Sequence, residues 1–234
     1  MADIRLIWPA AVHGRPGPLD SRLRGTGLVA DDLFLLAHDD RSGRPRLGAR
    51  PLALGLAAGL LAELMLGDRP AIRVAPDGTL RIAGEVPGTV IGRHPLLTQI
   101  DLEPAPRPVP DWLTFLAGSA PRDVGVRLEQ AGYLTWVTRR FPGLPARLVP
   151  ADANWAFAPV NRVVAALDPR RCWEPYLAVL AGLADACGLG FRTEPYLAAG
   201  SLPVGDSVSR LAPDLRALVR DTRITVSSAV LSRP

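Results

Sequence analysis

The amino-acid sequence predicts a mainly α-helical protein: a single globular domain around one buried central helix, with two small β-hairpins, one of them protruding. Three observations support this fold class. The segment Leu52–Leu66 is apolar on every side except at Glu63, which is typical of a helix buried all round. Segments with helical periodicity occupy most of the remaining chain. Two pairs of short apolar runs are each separated by turn or loop residues.

The central helix belongs to a helix–turn–helix unit over residues 28–67. LVADDLFLLAHDD predicts the first helix, RSGRPRLGARP a polar turn, and LALGLAAGLLAELMLG the central helix. Asp31 and Asp32 are interpreted as the start of the first helix. Because neighbours on a helix diverge by about 100°, these two carboxylates are not expected to chelate one metal ion. Glu63 is expected to pair with a structural arginine.

Two predicted hairpins are separated by short helices. AIRVAPDGTLRIAG predicts two strands joined by a turn at residues 76–78. HPLLTQIDLE and PVPDWLTFLAG predict short helices, and a clearer helix over residues 122–131, with Val124, Leu128 and Ala131 inside, ends at Gly132. Strands at Leu134–Arg139 and Arg147–Val149 follow. The later predicted segments are the helices ADANWAFAPVNRVVAAL, CWEPYLAVLAGLADAC and VSRLAPDLRALVR, and the closing apolar segment ITVSSAVL.

Domain organisation and compartment follow from the same patterns. Residues 1–27 are interpreted as a flexible N-terminal extension and residues 28–234 as the helical domain. Pro and Arg residues interrupt the apolar start, so no signal peptide is expected, and the central helix is too short for a membrane span. Cys172 and Cys187 lie at opposite ends of one predicted helix, too far apart for a disulfide, and both are expected to be buried thiols. We therefore expect a cytoplasmic protein.

No pattern for catalysis is present in the sequence. GxSxG, GxxxxGK[ST], HExxH and CxxC motifs are all absent. His38 with Asp39 and Asp40 is interpreted as a turn before Ser42. We expect no enzymatic activity, no cofactor and no metal ion.

The arginines are unevenly distributed. The chain has no lysine, a net charge of +4 and 27 arginines. Residues 122–171 contain eight arginines and four acidic residues, so this segment alone accounts for the net charge. Arg127 follows Asp123 by four residues and is interpreted as part of a surface helix pair.

Arg139, Arg140 and Arg147 flank a loop whose tip carries Phe141 and Leu144. An apolar tip inside a basic collar suits the interface of an anionic bilayer. The alternative is that both apolar side chains fold back onto the body, and composition does not separate the two interpretations.

Two other function classes stay open at this point. The helix, strand, basic loop and returning strand over residues 122–149 are similar to the recognition helix and wing of a winged-helix DNA-binding regulator, with Arg122 and Arg127 reaching the groove. Asp123 and Glu129 beside them would repel phosphate, so nucleic acid is not the partner we expect. A small-molecule pocket in a biosynthetic pathway is the third class, and it requires a sizeable apolar cavity with converging polar groups.

Several separated motifs resemble the Golgi phosphoprotein 3 family in its bacterial branch. They are LVADDLFLLAHDDRSGRPRL, LGLAAGLLAEL, DWLTFLAG with VGVRLEQAGYL, and the closing SSAVLSRP, in the order of that family, and the resemblance covers about residues 28–234. It implies one mainly helical domain with a protruding hairpin whose tip faces a membrane. Eukaryotic members bind phosphatidylinositol 4-phosphate on Golgi membranes and act as adaptors that retain glycosyltransferases.

The lipid pocket of the eukaryotic members does not carry over residue by residue. Its tryptophan falls on Gly48, the arginine of its GLRG motif on Ala58, and its paired basic residues near Gly118 and Pro121. Nearby Arg44, Arg46, Arg50 and Arg122 offer a substitute anion site.

We therefore expect a cytoplasmic, reversibly membrane-associated adaptor that binds anionic, phosphoinositide-like lipid headgroups. A protein client and the oligomeric state stay open. The expected lipid-binding residues are Arg44, Arg46, Arg50, Arg122, Arg139, Arg140, Phe141, Leu144 and Arg147.

Overall fold

The computed structural model of the protein describes residues 26–83, 94–137, 147–190 and 193–232. Within these ranges it contains nine α-helices and two antiparallel two-stranded sheets, which confirms the mainly α fold. The predicted extension over residues 1–27 lies almost wholly outside the described residues, and the domain boundary at residue 28 remains a proposal. The elements are α1 Val29–Ala37, α2 Ala49–Met65, β1 Ile72–Val74, β2 Leu80–Ile82, α3 Pro95–Asp101, α4 Val109–Leu116, α5 Ala120–Gln130, β3 Leu134–Val137, β4 Arg147–Pro150, α6 Ala153–Ala166, α7 Pro175–Ala186, α8 Val204–Ser209 and α9 Pro213–Leu231.

Helix α2 is the predicted central helix. Every residue from Leu52 to Ala62 is buried, since the helix packs against α1, α4, α5, α7 and α9 together. An element surrounded in this way has no face for polar side chains except where a partner charge is supplied. Glu63 is that exception, as predicted.

Glycine at position 59 allows α1 to lie directly on α2. A Cβ atom added to Gly59 would lie 2.7 Å from Ala30 Cα and 2.9 Å from Ala30 Cβ, closer than packed carbon atoms approach. All nine residues of α1 are buried in this packing. The contact also brings the Ala30 amide within 2.8 Å of Glu63 Oε1, to which it donates a hydrogen bond.

The two predicted hairpins are confirmed. β1 pairs with β2 with Arg73 opposite Arg81, and Gly78 takes the positive φ of 79° that the turn requires. β3 pairs with β4 with Trp136 opposite Leu148 and Val137 opposite Arg147. Along β3 the exposed fraction rises from 4% at Leu134 to 54% at Trp136, so the strand leaves the body as it runs toward the loop.

Three predictions about the helices need correction. The segment predicted as one helix from Val208 is divided, because Pro213 cannot continue α8 and instead begins α9. The closing apolar segment is no separate element, since it continues α9 to Leu231. Helix α7 begins only at Pro175, so Cys172 lies outside it and is exposed, although Cys187 is buried.

Candidate functional site

The turn between α1 and α2 is closely folded. The Asp39 carboxylate accepts hydrogen bonds from the Ser42 amide at 2.9 Å and the Ser42 hydroxyl at 2.8 Å. These bonds, with a further one from the Arg41 amide, lower the pKa of Asp39 to about 2. His38 and Pro45 close the turn with an antiparallel backbone bridge. The predicted turn before Ser42 is therefore confirmed.

His38 contributes no charge to this turn at neutral pH. Its Nδ1 lies 2.7 Å from the Phe34 carbonyl oxygen, and its ring stacks on Phe34 with centroids 4.0 Å apart. Burial lowers the pKa of His38. The positive charge of the turn therefore comes from arginine alone.

Three elements that carry predicted lipid-binding arginines meet at Leu148 of β4. A Cβ atom added to Gly43, which has a φ of 60°, would overlap the Leu148 carbonyl oxygen, so the turn backbone lies against β4. A Cβ atom added to Gly125 of α5 would touch Leu148 Cδ1 at 3.4 Å. The α1–α2 turn, strand β4 and helix α5 are therefore neighbours. We call the surface of these three elements, together with the first turn of α2 that follows the α1–α2 turn, the basic surface.

The arginines of the basic surface differ in how far they are neutralised. Arg44 is exposed, and Arg122 keeps 55% of its side chain exposed with its Nε 3.6 Å from Asp123 Oδ1. Arg46 lies 2.7 Å from Asp39 and 3.4 Å from Asp40, so its charge is largely compensated. Arg147 is half-buried on β4. Arg50 is exposed at the start of α2, next to the turn.

The remaining predicted residues fall between β3 and β4 in the sequence. Arg139, Arg140, Phe141 and Leu144 fall outside the described residues, and their role remains a prediction.

Sequence reasoning missed Trp136 and Val137 as part of this region. Their exposed fractions are 54% and 46%, so two adjacent large apolar side chains are exposed at the end of a strand that begins in the core. The available signal was their position, because they directly precede the basic loop.

A network of buried charges joins α1, α2 and α5. Arg127 of α5 donates to Asp31 Oδ1 through Nε at 2.7 Å, and to Glu63 through two nitrogen atoms at 2.9 Å and 3.0 Å. The side chains of Asp31, Glu63 and Arg127 are each at most 10% exposed. The predicted arginine partner of Glu63 is thus confirmed. The interpretation of Arg127 as a surface partner of Asp123 is wrong, since Arg127 points into the body and joins α1, α2 and α5.

Asp32 forms the second half of the buried network. Arg162 of α6 donates to Asp32 Oδ2, and the Tyr176 hydroxyl of α7 donates to the same atom at 2.5 Å. Because Asp31 and Asp32 diverge around the helix, the first meets α5 and the second meets α6 and α7. With the bond from Arg127 to Glu63 of α2, the network that begins at this dipeptide links α1 to four other helices.

Burial dominates the acidity of these carboxyl groups. Desolvation raises the pKa of Asp31 to about 7, against the opposing effect of Arg127. Desolvation likewise raises the pKa of Asp32 and of Glu63, each opposed by its arginine. The network is a structural element of the fold, and its side chains are buried.

The structure disfavours both alternative functions, DNA binding and small-molecule binding. Arg127 is buried, so the expectation that it reaches a DNA groove is wrong. A cavity of about 180 Å³ beside α6 and α8 is lined by Trp173 and Arg210 among others. It is smaller than the roughly 300–1,000 Å³ of typical ligand pockets, and it does not favour a small-molecule function.

No helix within the described ranges combines the length and apolar character that crossing a membrane requires. Fold and surface together define a mainly helical domain that presents arginines beside an exposed aromatic hairpin. Compared with protein families, the chain matches Golgi phosphoprotein 3 (GPP34) over residues 29–222. The chain therefore belongs to the Golgi phosphoprotein 3 family. A search of curated proteins found no match to this chain.

Proposed function

We propose that this protein is a non-enzymatic peripheral membrane adaptor that binds anionic, phosphoinositide-like lipid headgroups through the basic surface and the apolar tip of the β3–β4 hairpin. Membership of the Golgi phosphoprotein 3 family supports this class of function. The observation that carries the proposal is the position of exposed Trp136 and Val137 on the hairpin whose second strand contacts both the α1–α2 turn and α5. An apolar projection with adjacent arginines matches the two parts of a lipid interface.

Each part of the surface contributes a modest binding energy. An arginine near an anionic leaflet contributes about 1 kcal/mol, and Arg44, Arg50 and Arg122 are the described candidates. Burying a large apolar side chain contributes about 1.5–3 kcal/mol, which applies to Trp136 and to the predicted tip residues Phe141 and Leu144. Immobilisation of the protein offsets part of this sum. The proposed attachment is therefore reversible, between a cytoplasmic pool and the membrane surface.

We assign no particular lipid headgroup to this protein. Counted without gaps from the motifs that resemble the family, the residues of the eukaryotic lipid pocket fall on Gly48 and Ala58 and near Gly118 and Pro121, which offer no charge or aromatic ring. Recognition here depends on the number and spacing of exposed arginines, so several anionic lipids should bind.

Replacing Phe141 and Leu144 by serine is expected to weaken binding to anionic vesicles, because two apolar groups no longer enter the headgroup boundary. If the two side chains do not pack on the body, the free energy of unfolding should stay within about 0.5 kcal/mol of the wild type. Vesicle sedimentation measures binding and urea unfolding measures stability. Ile224→Ser is the control: it removes an apolar side chain that is 57% exposed on α9, outside the basic surface.

Two results would contradict the role of the tip. Unchanged sedimentation of the double variant would mean that the tip does not enter the bilayer. A large loss of stability would mean that Phe141 and Leu144 fold back onto the body.

A further inference from the structure

The buried network contains more acidic groups than basic ones. Among the described residues, Arg127 and Arg162 are the arginines that donate to Asp31, Asp32 and Glu63, and the nearby His94 has its pKa lowered by burial. With every group ionised, this nearly water-free region would carry one surplus negative charge. An uncompensated buried charge is strongly unfavourable, and a buried carboxyl group avoids it by taking up a proton.

The hydrogen bonds indicate which carboxyl group holds the proton. Glu63 is the best stabilised anion, because both of its oxygens accept from Arg127 and Oε1 also accepts from the Ala30 amide. Asp32 Oδ2 accepts from both Arg162 and the Tyr176 hydroxyl. Asp31 must share Arg127 with Glu63, so it has the weakest claim to a compensating charge.

A second observation is an acceptor in the same network that has no donor among the described residues. Asp32 is fully buried, and its Oδ1 has no hydrogen-bond partner among the described residues. A buried acceptor left in this state is uncommon in proteins. Within the described residues, one carboxylate oxygen of the network is therefore left without a donor, as expected where the carboxylates outnumber the arginines that face them.

We propose that the Asp31–Glu63–Arg127 cluster is a proton-binding site, in which Asp31 takes up one proton when the chain folds at mildly acidic to neutral pH. The fold is then stabler at mildly acidic pH than at alkaline pH. This inference is independent of the proposed lipid binding. The charged and titratable groups that face the site are Asp31 and Asp32 of α1, Glu63 of α2, Arg127 of α5, Arg162 of α6, Tyr176 of α7, Tyr133 before β3 and His94 before α3.

The direction of the pH dependence follows from the two states of Asp31. In the folded protein its pKa is about 7, against the ordinary aspartate value of 3.8 that applies to the unfolded chain. The folded state therefore binds more protons between these values. Its stabilisation is complete below the unfolded pKa and is lost as the pH rises through the folded pKa.

Asp31→Asn tests the inference, because asparagine is a neutral isostere that can still accept from Arg127. We expect the unfolding equilibrium constant of the wild type, relative to that of Asp31→Asn, to rise about tenfold per pH unit between about pH 5 and 7. Above that range the ratio should become constant. Urea unfolding at several pH values measures both constants.

The comparison removes the other groups that titrate in this range. Burial lowers the pKa of His38 and His94, so these histidines destabilise the fold as the pH falls, but they do so in both proteins. A ratio that does not change with pH would overturn the proposal. If Asp31→Asn does not fold, infrared spectroscopy of the wild type tests for the buried protonated carboxyl group instead. A protonated carboxyl band that persists at about pH 6 and disappears by about pH 8 supports the site, and its absence refutes it.

Discussion

Replacement of Arg127 by methionine should destabilise the protein by about 3–5 kcal/mol, the range for breaking one side of a buried ion pair. Methionine keeps much of the side-chain volume and removes the guanidinium group. Asp31 and Glu63 would then lie buried together without the guanidinium group that compensates them, since Arg127 donates to both. The loss is a large share of the stability of a typical domain.

Arg122→Met is the matched control for this prediction. Arg122 lies on the same helix but keeps 55% of its side chain exposed, with its Nε 3.6 Å from Asp123. Its replacement should change the free energy of unfolding by no more than about 0.5 kcal/mol. Urea unfolding followed by circular dichroism compares the two variants. Similar losses for both would contradict the structural role of the buried network.

Replacement of Gly59 by alanine should cost about 1–3 kcal/mol, as overpacking of a close contact does. The new methyl carbon would lie 2.7 Å from Ala30 Cα, so it meets backbone and not the end of a flexible side chain. Helix α1 would have to move away from α2. That movement would also lengthen the hydrogen bond from the Ala30 amide to Glu63, which is 2.8 Å in the native fold.

Gly205→Ala is the control for the intrinsic preference of alanine for helices. Gly205 lies in α8, and a Cβ atom added there meets nothing within 4 Å. The control should be neutral or up to about 1 kcal/mol more stable. The helix preference favours alanine at both sites, whereas the clash occurs only at position 59. Thermal unfolding of both variants therefore separates the two effects. A stabilised Gly59→Ala would refute the close approach of α1 and α2.

The fold was readable from the sequence because its strongest signals are local. The apolar character of Leu52–Leu66 predicts burial without knowledge of the neighbouring helices, and the turn at residues 76–78 predicts its hairpin. The division at Pro213 was missed although proline was visible, because the apolar periodicity on both sides is that of one continuous helix. Local pattern therefore gave the elements more reliably than their ends.

The charge network was only half predictable. An acidic residue inside an apolar helix requires a partner, and that reasoning gave an arginine for Glu63. Nothing local identifies Arg127 as the partner, because Asp123 at four residues' distance offers a simpler explanation. The real contact spans 64 residues of sequence. Which arginines are buried and which are exposed is decided by packing between distant elements.

The basic surface was also only partly predictable from the sequence. Sequence proximity of Arg44 and Arg46 indicated equal roles, yet Asp39 and Asp40 compensate Arg46 and leave Arg44 exposed. The contacts of Gly43 and Gly125 with the same residue of β4 join two segments that are 82 residues apart along the chain.

Vesicle sedimentation of charge-matched variants tests the lipid-binding account most directly. Arg44→Gln with Arg122→Gln removes two charges from the basic surface, and Arg69→Gln with Arg81→Gln removes two exposed charges near the β1–β2 hairpin, beyond the other end of α2. The wild type should bind vesicles containing anionic lipid better than neutral vesicles. The first pair should weaken that binding about tenfold or more, since each arginine contributes about 1 kcal/mol, and the second pair should change it little. Equal binding of the wild type to neutral and anionic vesicles, or equal losses for the two pairs, would contradict the account.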